Sequence, residues 1–114
     1  MVKGMVTIKY KRAYLPHKNV WYSINAEGHA GYAEAGKDIV CSAVSVMLYT
    51  LTNFLEYIGA DELDAHDEED FHVECKAFYH DEAVHTAFRM TVFGLQLLAD
   101  CYPDNVEVIE EPDD

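Results

Sequence analysis

At 114 residues, half of them hydrophobic, the chain is long enough for one small domain with a core and too apolar to be wholly disordered. Its formal charge is −13, with +4 on residues 1–37 and −17 on residues 38–114. That balance argues against nucleic acid as a partner and favours a basic one, with simple solubility as the plainer explanation. The N-terminus, Met-Val-Lys-Gly-Met-Val-Thr, has neither an apolar core nor a cleavage signature, so no secretory leader is expected. Three cysteines, an odd number, then read as thiols of the reducing cytosol. There is no linker or repeat, and residues 1–114 read as a single domain.

Residues 5–14 alternate as a strand, and 16–19 form a turn. Residues 20–27 make a second strand, with Val20, Tyr22, Ile24 and Ala26 on one face and Trp21, Ser23, Asn25 and Glu27 on the other; Gly28 ends it. Asp38 suits the N-cap of a helix running from Ile39 to about Ile58, and Gly59 suits its stop. This helix is apolar enough to raise the question of a membrane. Ser42, Ser45, Thr50, Thr52, Asn53 and Glu56 interrupt it, so it reads as a buried helix of a soluble protein with no membrane partner. Being apolar nearly all round, it is either central in its layer or covered by a second subunit.

Residues Ala60–Asp70 are acidic and polar, and read as a solvated loop. Phe71–Phe78 alternates as a third strand, with Cys75 facing the core. His80-Asp81-Glu82 opens a second helix that runs to about Asp100, with Val84, Ala87, Phe88, Thr91, Leu95 and Leu98 as its packing stripe and Cys101 at its end. Asn105–Glu110 is a last short strand. The order strand-strand-helix-strand-helix-strand gives an α+β fold, two helices on a mostly antiparallel sheet of about four strands.

Of the three cysteines, Cys41 alone stands in a setting that activates a thiol. With Asp38 as N-cap it is the third helical residue, where unpaired backbone N–H groups and the helix dipole favour an anion. The same N–H groups suit the oxyanion formed when a thiolate attacks a peptide carbonyl. His29, twelve residues upstream, becomes the base if the loop Ala30–Lys37, with Gly31 and Gly36, folds back; this loop also suits a lid over a bound peptide. Strand parity puts His29 opposite Ile24, whereas the first helix is expected on the Ile24 face, and a turn at Gly28 would resolve that conflict. Asp38 either caps the helix or orients His29; the cap is the more economical reading, because a carboxylate beside Cys41 opposes thiolate formation. Ser45, one turn beyond Cys41, either packs or hydrogen-bonds within the site. Spacing alone would leave Cys41 a buried structural cysteine.

The segment Gly28-His29-Ala30, with Gly36, Asp38, Val40, Cys41, Ala43, Val44 and Ser45, resembles the ribosomal-processing cysteine protease family, Prp; Ser42 departs from the alanine common there. The resemblance implies a cysteine endopeptidase with a Cys41–His29 dyad supported by Asp38, Ser45 and Gly28. It further implies a cytoplasmic homodimer without a cofactor. The implied substrate is the N-terminal peptide of a ribosomal protein precursor: a short extension removed from the large-subunit protein numbered twenty-seven.

Related phage enzymes process virion proteins instead. A reading from another class is a non-catalytic acidic module that grips a basic ribosomal segment. A thiol redox sensor would lack a resolving cysteine near Cys41. No metal site is expected from His66, Asp67, Glu68, Glu69, Asp70, His72, Cys75, His80 and His85: His80 and His85 are five apart on a helix, and His72 with Glu74 supplies only two ligands on one strand face. Tyr10, Tyr14, Trp21 and Tyr22 read as sheet packing, not as a nucleic-acid platform.

Overall fold

The fold was analysed in a computed structural model that describes residues 5–28 and 39–113. Strands β1 (Val6–Leu15) and β2 (Asn19–Glu27) form an antiparallel hairpin joined by a 3₁₀ turn over Pro16–Lys18. Helix α1 (Ile39–Tyr57) precedes β3 (Asp61–His66) and β4 (Phe71–Phe78); helix α2 (Glu82–Cys101) precedes β5 (Val106–Glu110). The sheet order is β3-β4-β2-β1-β5. All neighbours are antiparallel except β1 and β5, which run parallel. The class is the expected α+β.

Alternation dictates which face is buried. Val20, Tyr22, Ile24 and Ala26 of central β2 lie directly opposite Ala77, Cys75, Val73 and Phe71 of β4. Directly paired residues share a face, so these side chains make one apolar surface. Both helices are laid on it. α1 buries Val40, Val44, Leu48, Leu51 and Leu55, a 3.6-residue stripe, and α2 buries Val84, Phe88 and Leu95. By length and a mean hydropathy of 1.5, α1 would also suit a membrane span; in the fold its stripe packs on the sheet. Its Thr52 hydroxyl donates to Leu48 O (2.9 Å) and its Asn53 amide to Tyr49 O (2.7 Å). Gly59, at φ 70°, stops the helix as expected: Ala60 N–H reaches Leu55 O (2.9 Å) and Gly59 N–H reaches Glu56 O (3.1 Å).

One element departs from the sequence expectation. Asp61–His66, read as part of a solvated loop, is edge strand β3, so the sheet has five strands. Leu63 and Ala65 alternate inward against the core, while Asp61, Glu62 and Asp64 face solvent. The acidic side chains masked this short alternation. They also suit an edge, because charge there discourages pairing with another chain. Glu62, at φ 52°, sits at a register shift, and Lys76 of β4 pairs with Asp61 (3.5 Å) and Glu62 (3.0 Å).

The exit of β2 is a close approach of two backbones. Gly28 has φ 86°, and a Cβ there would stand 2.4 Å from the carbonyl oxygen of Met5. Both facts demand glycine. Gly28→Ala is therefore expected to destabilise the protein by about 2 kcal/mol or more, measured by urea denaturation. An unchanged midpoint would contradict this reading of the β1–β2 contact.

Candidate active site

Burial of α1 aims its first turn. Val40 and Val44 are pressed into the core, and Cys41, one step round the helix from Val40, is half-buried instead. It is the third residue of α1, in the first turn of the helix. Cys41 and Ser45 line a cleft of about 210 Å³ whose opposite wall includes Gly28 and Val6. Three of the five residues singled out in the sequence (Gly28, Cys41 and Ser45) thus border one cleft. His29 and Asp38 lie outside the described residues, and so does the loop Ala30–Lys37.

The third wall of the cleft was not anticipated. The β3–β4 turn, Asp67-Glu68-Glu69-Asp70, lines it together with Phe71. Tyr49 of α1 ties this turn down: its hydroxyl donates to Asp67 Oδ2, and its ring meets Phe71 edge-on with centroids 5.3 Å apart. The hydrogen bond to Asp67, then desolvation, holds the Tyr49 hydroxyl above the usual tyrosine range. Four consecutive carboxylates beside the thiol make the cleft attractive to a cationic ligand. The charge asymmetry of the sequence pointed to such a partner. Its placement beside Cys41 depends on strand β3 and the turn after it, which the sequence pattern reads as loop.

The other two thiols differ from Cys41 in kind. No cysteine is in a disulfide. Cys75 is 0% exposed, on the core face as expected. Burial, with the charges of Asp61, Asp81 and Glu74, pushes its thiol up to about 12. Cys101 is exposed at the end of α2.

Several of the side chains weighed as metal ligands have other partners. His72 Nε2 lies 3.0 Å from Glu74 Oε1, and Trp21 Nε1–H donates to Glu74 Oε2 (2.7 Å). His66 stacks on His72 with centroids 5.3 Å apart. His85 Nε2–H donates to Phe78 O (2.8 Å), which leaves Nδ1 to accept from the Tyr22 hydroxyl (2.5 Å). Among the described residues, no three His, Cys, Asp or Glu side chains are grouped to hold a metal ion.

The raised thiol of Cys75 has a direct consequence. Below its folded value the neutral form dominates, so at pH 8 Cys75 is held as the unreactive thiol. Iodoacetamide at pH 8 is expected to alkylate Cys41 and Cys101 of the native protein and to spare Cys75, read by peptide mass spectrometry. Equal labelling of Cys75 would refute its burial.

Comparison with known proteins places this arrangement. The family described as cysteine protease Prp matches residues 5–107. No match was found among curated proteins. The crystal structure of SMU.848 from Streptococcus mutans is 28% identical and has a TM-score of 0.69, covering 93% of each chain. The essential ribosomal processing protease Prp from S. aureus, in complex with a covalently linked product peptide, is 20% identical with a TM-score of 0.73, over 94% of this chain and 100% of that one. The S. aureus enzyme with a substrate peptide is 19% identical with a TM-score of 0.69, over 91% and 99%. At these identities the two S. aureus structures speak to fold. The family match spans nearly the whole chain, and the chain belongs to the Prp family of cysteine proteases.

Proposed function

We propose that this protease removes a short N-terminal extension from a large-subunit ribosomal protein, the one numbered twenty-seven, with Cys41 as nucleophile and His29 as its base. The observation that carries the reading is Cys41 in the first turn of α1, facing a cleft walled by Asp67, Glu68, Glu69 and Asp70. A ribosomal protein precursor is basic, and this wall complements it. The ribosomal processing named for the S. aureus protease supports the same substrate class.

The chemistry follows from the residue types. The Cys41 sulfur bonds to the carbonyl carbon of the scissile peptide, and helix N–H groups hold the oxyanion. As the C–N bond breaks, the departing amine takes a proton from the His29 imidazolium. Water, deprotonated by His29, then attacks the thioester carbon; the C–S bond breaks, and the extension leaves with a new carboxylate. Asp38 caps α1 in this scheme, Ser45 and Gly28 shape the cleft, and no cofactor is needed.

We further propose a cytoplasmic homodimer. Three reduced thiols suit the cytoplasm. An apolar groove of about 510 Å³ between α1 and α2, lined by Val46, Phe54 and Met90 among others, suits burial against a second copy.

Mass spectrometry of the precursor incubated with the purified protein tests the reaction. Wild type is expected to release the extension; Cys41→Ala and His29→Ala are expected to lose at least about 1,000-fold in rate. The wild-type rate at low substrate should also fall as salt screens the acidic wall. Cleavage surviving in Cys41→Ala would end the assignment of the nucleophile. A precursor bound but never cut would favour a binding module.

Sedimentation tests the assembly: wild type is expected to be a dimer and Met90→Asp a monomer. A monomeric wild type at micromolar concentration would refute the dimer.

A further inference from the structure

The inward positions of β1 break their apolar pattern after Ile8. The register sets Tyr10 opposite Ile24 and Arg12 opposite Tyr22. A tyrosine and an arginine therefore stand on the helix face of the sheet, where aliphatic side chains are the rule. α2 does not close over them: Tyr10 is half-buried and Arg12 is exposed. Between this part of β1 and α2 lies a cavity of about 210 Å³ that shares no lining residue with the Cys41 cleft.

The cavity is pre-formed and polarised. Its floor is Tyr22 stacked on Phe88, with centroids 4.6 Å apart and planes at 10°. The Tyr22 hydroxyl is fixed by His85 Nδ1. Tyr10 and Gln96 also line the cavity, and Phe93 of α2 leaves an exposed ring there. Arg12 and Arg89 both line the space. They are the only two arginines of a chain with net charge −13. Among the described residues, neither joins an ion pair. Two arginines on the lining of a small cavity with an aromatic floor match a planar oxyanion with a flat apolar body. Glu110 is the one carboxylate on the lining.

We propose that this cavity is a second ligand site, which takes an aromatic ring bearing one oxyanion: the ring lies over Tyr22 and Phe88, and the oxyanion lies between Arg12 and Arg89. The carboxylate of a peptide ending in an aromatic residue and the phosphate of a small aromatic ester share this chemistry. The site is independent of the assignment of Cys41.

Backbone amide shifts recorded by NMR during titration with N-acetylphenylalanine, phenyl phosphate and N-acetylphenylalanine amide test the proposal. Saturable shifts around Tyr10, Tyr22 and Phe93 are expected with at least one anion, and about tenfold weaker binding with the neutral amide. Arg89→Gln alters an exposed side chain and leaves the fold intact. It is expected to weaken the anion about tenfold and to leave the amide unaffected. Tighter carboxylate binding identifies a peptide terminus as the natural source, and tighter phosphate binding a phosphorylated small molecule. Absence of saturable shifts with both anions, equal affinity for the amide, or unchanged binding in Arg89→Gln would each overturn the site.

Discussion

The burial of Val40 and Val44 in the core is the constraint on which the site depends. An α-helix turns 100° per residue, so once these two side chains are committed to the sheet, Cys41 must point along the helix flank. The helix cannot rotate without exposing Leu48, Leu51 and Leu55, which are nearly or wholly buried on the same stripe. Burying each such side chain is worth about 1.5–3 kcal/mol, far more than any single polar contact at the cleft. The cleft thus inherits its geometry from the core.

The strand exit at Gly28 imposes the complementary constraint. Its close approach to Met5 brings the end of β2 against the start of β1, and this corner forms the wall facing Cys41. The third wall comes from the β3–β4 turn, held by Tyr49. One acidic stretch therefore serves two ends. Asp61, Glu62 and Asp64 keep the edge strand soluble and unpaired, and Asp67–Asp70 set the potential of the cleft.

Charge is sorted across the molecule as well as along the chain. The acidic wall lies beside the start of α1, while the two arginines meet between β1 and α2. Opposite charges so separated do not cancel, and each cavity keeps its own potential in spite of the overall −13. The Tyr22–Phe88 stack and the His85 hydrogen bonds tie α2 to β2 and β4 at the arginine side. That side is thereby made rigid without closing it.

Local sequence determined most of the elements. The alternation of Val20, Tyr22, Ile24 and Ala26, the 3.6-residue stripe of both helices and the glycine stop at Gly59 are short-range patterns, each legible because its physical cause lies within a few residues. The same holds for the motif from Gly28 to Ser45, which carried the family, and for the core placement of Cys75. Sequence could not separate β3 from loop, because three acidic side chains hid an alternation of only two apolar residues, and an edge strand buries too little to advertise itself. Only the tertiary structure decided that β5 pairs in parallel with β1, that the turn Asp67–Asp70 closes the cleft beside Cys41, and that Arg12 meets Arg89 across 77 residues of chain. These juxtapositions follow from strand order and register, which are set by the burial of a whole face at once and leave no mark on any one stretch of sequence.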